Sequence, residues 1–173
     1  MSCMISKMLR VLLGLGSNLG ESEKAFTSCL RRLADEGNIV DTSRLWITRP
    51  VGPPQPNFLN AAIVIEWPTS LRSLLSRCHE LETEAGRDRL AEERWGSRFL
   101  DLDLLMAENI LCRGPLLELP HPRFHQRRFA LEPAAEVAPG WVHPLLGRTL
   151  ENLVTTARDR EPDAILEVMS FEL

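Results

Sequence analysis

A short apolar run interrupted only by two aspartates constrains the fold of this chain more than any other feature. The run from Phe99 to Met106 has the length of one buried strand, and its only charged residues are Asp101 and Asp103. Alternate side chains of a strand share a face, so the two carboxylates are predicted to project together, with Cα atoms about 6.6 Å apart. On a helix the same pair would point apart by about 200°. Two carboxylates at the strand spacing can bind one or two hard cations, of which Mg²⁺ is the common choice.

The segment before this strand is rich in arginine, which supports a functional interpretation of the acid pair. The arginines are Arg87, Arg89, Arg94 and Arg98. A cation-binding acid pair beside guanidinium groups is typical of a polyphosphate site, because metal ions neutralise some oxygens and arginines bind others through paired hydrogen bonds. The alternative is that the aspartates belong to a solvated turn or to the polar face of an edge strand. The apolar flanks and the arginines favour the site.

The overall composition limits the class of protein. A length of 173 residues suits a single domain, 1–173, with a core of about 9–155 and a charged tail, 158–173, that we expect to be loosely held. A net charge of −4 and a pI near 5.6 argue against general nucleic-acid binding. The four cysteines are scattered, and we see neither a signal peptide nor a membrane-spanning apolar run. Reduced thiols and a cytoplasmic location are therefore expected.

Hydrophobic periodicity predicts the order of the elements. Strands are expected at 9–15, 39–48, 58–67 and 99–106, with helices before Gly37 and at about 70–85. A proline-rich loop, 49–57, separates the second and third strands, and Thr149 is a candidate cap of a last helix. The resulting order, β-α-β-β-α-β with a C-terminal extension, predicts an α+β fold. It is the ferredoxin-like arrangement, an antiparallel sheet with two helices on one face.

Two further motifs leave alternatives open. The glycine-rich turn 14–20 can cradle phosphate or can simply connect a strand to a helix, and we favour the second because it fits neither common nucleotide-binding fingerprint. His121 and His125 are four residues apart, a spacing that on a helix makes a zinc pair. Pro122 argues against one common helix, so phosphate contacts are the preferred interpretation.

Six motifs together resemble one enzyme family. In chain order they are Gly-Ser-Asn-Leu-Gly at 16–20, Thr48-x-Pro50-x-Gly52, Phe58-Leu59-Asn60-Ala61, Arg94-Trp95-Gly96-Ser97-Arg98-Phe99-Leu100-Asp101-Leu102-Asp103, Pro120-His121-Pro122-Arg123 and Arg127-Arg128-Phe129. Over about residues 9–155 the sequence resembles the 6-hydroxymethyl-7,8-dihydropterin pyrophosphokinase family. That family transfers a pyrophosphoryl group from ATP to the pterin hydroxymethyl and releases AMP, in folate biosynthesis. Ser97 departs from the family, which usually has proline there, and the loop before Arg94 carries one extra residue.

The resemblance implies a set of site residues. The expected catalytic residues are Arg87, Arg98, Asp101 and Asp103, and the two aspartates are expected to bind two Mg²⁺ ions. The expected contacts of the co-substrate ATP are His79, Glu82, Arg89, Arg94, Arg98, His121 and Arg127. The expected contacts of the pterin are Thr48, Pro50, Val51, Phe58, Asn60, Trp95 and Phe129. Beyond the two substrates we expect no nucleic-acid or membrane partner, and we expect a monomer.

The sequence does not identify a general base for the substrate hydroxyl. This hydroxyl would be deprotonated through metal coordination or with the help of Asp103.

Two rival functions fit part of the sequence pattern. A nucleotide-sugar glycosyltransferase also uses a D-x-D pair, but it usually needs a larger nucleotide-binding domain. A ferredoxin-like RNA-binding or interaction module needs exposed aromatic residues on a basic sheet face, which the acidic pI and the aspartates oppose.

Overall fold

The computed structural model of the chain describes residues 8–86 and 96–171, which contain ten strands and four α-helices. The strands are β1 (Leu9–Ser17), β2 (Asn38–Thr42), β3 (Leu45–Thr48), β4 (Phe58–Trp67), β5 (Asp101–Ala107), β6 (Cys112–Arg113), β7 (Glu118–Leu119), β8 (Val142–His143), β9 (Arg148–Thr149) and β10 (Ile165–Met169). The helices are α1 (Ser22–Ala34), α2 (Leu71–Glu84), α3 (Arg128–Val137) and α4 (Leu150–Arg160), and Phe124–Gln126 form a 3₁₀ turn.

Six of the strands form one sheet in the order β10-β3-β4-β1-β5, with β2 also paired to β4. Each of these pairings is antiparallel. The single strand predicted for 39–48 forms two strands, β2 and β3, because the strand is interrupted at Ser43. The Ser43 hydroxyl accepts a hydrogen bond from the Ala62 N–H at 2.9 Å, and the Ser43 N–H donates to the Ala62 carbonyl at 2.9 Å. A side-chain oxygen thus replaces one backbone carbonyl in the ladder with β4.

Helices cover both faces of the sheet. Val11, Leu13 and Leu15 of β1 pack into a core with α1 and α2, whereas Leu12 packs into a second core with α3 and α4. Alternate side chains of β1 are therefore buried in two different cores, which explains why the sequence of β1 is a continuous apolar run. The expectation of helices on one face alone was incomplete, because α3 was not predicted. Pro133 lies inside α3, and proline ordinarily argues against a helix interior.

The predicted helix ends are largely confirmed. Ser70 caps α2 by accepting the Ser73 N–H at 3.1 Å. Gly86, just past the end of α2, has a φ of +102°, a conformation that favours glycine. Thr149 caps α4 by accepting the Asn152 N–H at 3.3 Å, as predicted.

The C-terminal segment has an ordered place in the fold. It was expected to be loosely held from Arg158 onward, yet α4 extends through Arg160 and β10 pairs with β3, where Ile165 lies opposite Thr48. Arg158, Asp159 and Arg160 are exposed residues of the last turn of α4, and Asp163 and Glu167 are exposed in the turn after it and in β10. Within the described residues, no helix is both long enough and apolar enough to cross a membrane.

Candidate active site

A cavity of about 670 Å³ lies over the end of the sheet where β1, β4 and β5 run side by side. Its floor follows the strand register: Gly16 pairs with both Asn60 and Asp101, and Gly14 pairs with Asp103. A Cβ on Gly16 would lie between two polar side chains, 3.4 Å from the Asn60 Oδ1 and 3.9 Å from the Asp101 Cβ, whereas a Cβ on Gly14 would lie 3.1 Å from the Leu105 Cδ1. The other predicted site residues that line this cavity are Thr48, Val51, Phe58, His79, Glu82, Arg98, His121, Arg127 and Phe129.

The two aspartates project from the same face of β5, as the strand period predicts, while Leu102 and Leu104 enter the opposite core. The Arg98 Nη1 donates to the Asp101 Oδ2 at 2.5 Å. Burial raises the pKa of Asp103, and the negative charge of Asp101 raises it further, although nearby cations oppose this. The floor of the cavity therefore favours binding of a positive charge.

This donor set fits magnesium. Carboxylate oxygens are hard ligands, and Mg²⁺ is usually held by one or two carboxylates together with water and substrate phosphates. Among the described residues, no cluster of three or more histidine, cysteine, aspartate or glutamate side chains forms a complete protein cage for a metal. Two carboxylates open to a cavity are thus the kind of site that shares its metal with a phosphorylated ligand.

The two histidines of the sequence motif have different surroundings. His121 lines the cavity, and its Nδ1 accepts the Arg123 N–H at 3.2 Å, which assigns the ring proton to Nε2. Burial lowers the pKa of His121, so the neutral ring can donate one hydrogen bond to a ligand. His125 instead packs edge-on against His143, with ring centroids 5.6 Å apart.

Glu82 connects α2 to β5, the strand that carries the two aspartates. It is 1% exposed, and its Oε1 accepts the N–H of Leu102 at 2.8 Å. Leu102 lies between the two aspartates, on the side of β5 that faces α2. One oxygen of the predicted ATP contact is therefore used to fix the strand, and the contact of Glu82 with ATP stays a prediction.

A second group of side chains in the cavity consists of residues predicted for the pterin. Asn60 is 5% exposed, and its Nδ2 donates to the Thr48 hydroxyl at 2.8 Å, which fixes the orientation of the amide. Phe58 is partly buried at the start of β4, and Phe129 lies beside Arg127, whose guanidinium carbon is 5.6 Å from the ring centroid. Pro50 is not among the described residues that line the cavity.

Sequence reasoning missed the hydrogen-bonding role of Asn18, in the glycine-rich turn. Its Nδ2 donates to the Gln55 side chain at 3.0 Å and to the Pro56 carbonyl at 3.1 Å, and its Oδ1 accepts the Arg98 N–H at 2.7 Å. Ser97, at the position where the family usually has proline, donates to the Gln55 Oε1 at 3.2 Å. The turn therefore joins the proline-rich loop to the arginine next to the acid pair, which supports its structural interpretation.

Gln55 itself lines the cavity and was also missed. An asparagine in a glycine-rich turn was the only available signal for this network, since its partners are distant in sequence. The remaining predicted residues, Arg87, Arg89, Arg94 and Trp95, lie outside the described residues, and their roles stay predictions.

Comparison with known proteins identifies the family to which these motifs belong. Residues 12–139, well over half of the chain, match the sequence model of 7,8-dihydro-6-hydroxymethylpterin-pyrophosphokinase (HPPK). The chain belongs to the HPPK family. A 2-amino-4-hydroxy-6-hydroxymethyldihydropteridine pyrophosphokinase of Synechocystis sp. is 36% identical over 145 residues, which are 83% of this chain and 73% of the relative. The enzyme of the same name from Haemophilus influenzae is 36% identical over 140 residues, 79% of this chain and 86% of that protein.

Solved HPPK structures share the fold. An HPPK–DHPS structure from Plasmodium falciparum matches with a TM-score of 0.68 at 13% identity, over 92% of this chain and 47% of that chain. The chain thus spans about half the length of that protein, and at this identity the likeness shows the fold alone. The HPPK sequence match includes the cavity floor, and it ends before α4 and β10.

Proposed function

We propose that this HPPK-family enzyme transfers the diphosphate group of ATP to the hydroxymethyl group of 6-hydroxymethyl-7,8-dihydropterin, giving the pterin diphosphate and AMP in folate biosynthesis. One observation carries the proposal. A single cavity is lined by an acid pair with an arginine on the β5 side of Gly16 and by a fixed amide on its β4 side, together with two phenylalanine rings. These are the chemistries that a magnesium triphosphate and a flat, polar heterocycle require.

ATP is assigned to the end of the cavity that holds Asp101 and Asp103. These carboxylates would bind two Mg²⁺ ions, which neutralise phosphate oxygens when bound. Arg98, His121 and Arg127 supply donors to the remaining oxygens, with His79 and Glu82 on the α2 side. Displacement at phosphorus depends mainly on positioning and charge stabilisation, and these side chains provide both.

The dihydropterin is assigned to the end formed by Thr48, Val51, Phe58, Asn60 and Phe129. Phenylalanine rings bind a flat heterocycle by offset stacking. The Asn60 amide, held by Thr48, presents a fixed hydrogen-bonding edge to the ring. This orientation directs the hydroxymethyl group toward the phosphate end.

The proposal also includes four residues outside the described part of the chain, and Pro50, which is not among the described residues that line the cavity. Arg87, Arg89 and Arg94 are assigned to the phosphates, and Trp95 and Pro50 are assigned to the pterin. We also propose that β1-α1-β3-β4-α2-β5 forms a ferredoxin-like unit, which the antiparallel order β3-β4-β1-β5 supports. A monomeric, single-domain, cytoplasmic protein completes the proposal, in keeping with the free thiols of Cys29, Cys78 and Cys112.

The test is an AMP-release assay with each component omitted in turn. The purified chain is incubated with ATP, Mg²⁺ and the dihydropterin, and the nucleotides are separated by chromatography. AMP should form only when all three are present. AMP formation without the dihydropterin, or ADP as the nucleotide product, would refute the proposed reaction.

A further inference from the structure

Arg128, the first residue of α3, ties this helix to the turn that follows α4. Its Nη1 donates to the carbonyl oxygens of Glu161 and Pro162, at 2.8 and 2.7 Å. Its backbone N–H donates to the Glu161 carboxylate at 3.1 Å. Arg128 stands between Arg127 and Phe129, which both line the cavity, whereas Arg128 is not among the described lining residues. Its bonds therefore bear on the site through its two neighbours.

A buried carboxylate fixes the Arg128 guanidinium. Glu132, 3% exposed, accepts the Arg128 Nε at 2.9 Å and two further bonds from Arg158 of α4, at 2.8 and 2.7 Å. Burial alone would raise the pKa of Glu132, but the hydrogen bonds from Arg158 and Arg128 outweigh it and lower the pKa. The carboxylate is thus held charged. Breaking a buried ion pair of this kind is costly, so the geometry is well defined.

The same turn also bonds to Arg49, which follows β3 and is another part of the cavity lining. The Arg49 N–H donates to the Ala164 carbonyl at 2.9 Å, and its Nε donates to the Asp163 carbonyl at 3.0 Å. Thr48 and Arg49 line the cavity, and Ile165 pairs with Thr48. Residues 161–164 therefore bridge the start of α3 and the end of β3. This bridge lies beyond residues 12–139, the part of the chain that matches the family.

We propose that Arg128 is a positioning residue, which through the turn 161–164 holds Phe129 at a fixed distance from Thr48 across the pterin end of the cavity. The inference rests on the proposed function, because it concerns the same pocket. Phe129 and Thr48 are both assigned to the pterin, whereas ATP is assigned to several groups on β5 and α2 besides Arg127, the one neighbour of Arg128 that is assigned to ATP. Loss of the bridge therefore weakens binding of the dihydropterin more than binding of ATP.

The test variant is Arg128→Lys, which keeps a positive charge beside Glu132 but loses the planar guanidinium that serves several acceptors. Dissociation constants for the dihydropterin and for a non-hydrolysable ATP analogue are measured separately by calorimetric titration. We expect the dihydropterin dissociation constant to rise roughly tenfold, about the loss seen when an outer-shell partner of a metal ligand is removed, and the analogue constant to rise by much less.

Glu136→Gln is the matched control, since it alters an ion pair on the same helix away from the cavity. Glu136 accepts the Arg44 Nε at 2.7 Å and the Trp46 indole N–H at 3.0 Å. This variant should lower the melting temperature without separating the two dissociation constants. Melting curves of all variants show whether each titration is made on folded protein.

The outcomes separate the inference from the proposed function. If the unmodified chain fails to bind the dihydropterin, the proposed function is wrong. The role of Arg128 is decided by the ratio of each dissociation constant of the variant to that of the unmodified chain. Unchanged constants, or equal losses for both ligands, would overturn that role. If Arg128→Lys does not fold, Arg158→Ala takes its place, at a side chain 58% exposed. The same preferential loss is then expected, and its absence contradicts the inference.

Discussion

At the scale of single residues, the two aspartates of β5 are the most constrained side chains of the site. They share a face because they alternate along a strand, and the glycines opposite them in β1 leave room above the floor. Their like charges repel in the metal-free protein, and burial disfavours the charge of Asp103. The acid pair is therefore a cost to the fold that cation binding offsets.

This cost gives a prediction for Asp101→Asn and Asp103→Asn. Each variant should reduce AMP formation by at least about 10²-fold, because charge stabilisation of that size is typical of single catalytic groups. Each should fold normally. Asp103→Asn should have a melting temperature equal to or above that of the unmodified chain in metal-free buffer, since it removes a buried charge and its repulsion by Asp101, whereas Asp101→Asn also loses the ion pair with Arg98. AMP formation and thermal melting measure the two parts. Near-normal turnover in either variant would exclude the two-metal assignment.

Phe58→Ala separates the two substrates most cleanly. Phe58 is only partly buried at the start of β4, so its truncation leaves the core largely intact. Loss of a stacking partner removes about 0.5–1.5 kcal/mol beyond burial, which should weaken dihydropterin binding several-fold or more. Phe129 is less selective, because the Arg127 guanidinium lies against its ring. Titration of Phe58→Ala with each ligand is the measurement, and equal losses for both would mean that Phe58 is a packing residue.

The positions of the site residues could be predicted where they depend on a local sequence pattern or motif. Asp101 and Asp103 follow from strand alternation, and the residues around them follow from motifs shared with the family. Asn18 and Gln55 were not predicted, because their hydrogen bonds join three loops and leave no periodic pattern. Their contacts become visible only once the loops are folded together.

At the scale of elements, α3 and α4 act as a pair joined by Glu132. The helix α3 begins at the cavity, and α4 leads into the turn that bonds to its first residue. Neither this pairing nor α3 itself was predicted. Pro133 lies inside α3, where sequence alone would not place it, and the charges after Arg158 suggested a loose tail, yet buried charge pairs here connect two helices. A single sequence contains no periodic signal for such long-range pairs.

The ion pairs of Glu132 predict a pH-dependent stability. At pH 7 the Glu132→Gln variant should be less stable than the unmodified chain by about 1–3 kcal/mol, because buried donors lose a charged acceptor. The folded pKa of Glu132 lies below its ordinary value of 4.5. Its stabilisation is therefore complete above about pH 4.5 and is lost as the pH falls through the lowered folded value. The free energies of unfolding of the variant and of the unmodified chain should therefore converge in that acidic range.

Urea unfolding of both proteins at neutral pH and at steps below pH 5 measures this difference. A difference that stays constant through the acidic range would show that shape and packing, rather than charge, account for the effect of Glu132→Gln.

At the scale of the whole molecule, an antiparallel sheet carries α1 and α2 on one face and α3 and α4 on the other, with the cavity over the end of β1, β4 and β5. The predicted strands and first two helices occur in the predicted order, except that the strand predicted at 39–48 is divided into β2 and β3. Of the second helical layer only α4 was predicted, and the edge strand β10 was not. It depends on docking of the C-terminal segment against β3, which no local pattern specifies.

The central claim is that ATP and the dihydropterin meet in this one cavity so that two phosphoryl groups move together. The most direct measurement is phosphorus NMR of a reaction that contains the purified chain, ATP, Mg²⁺ and the dihydropterin. We predict that the β and γ phosphorus signals of ATP appear together in a pterin diphosphate, in amounts equal to the AMP formed. A pterin monophosphate with ADP, or free pyrophosphate with unchanged pterin, would contradict the account.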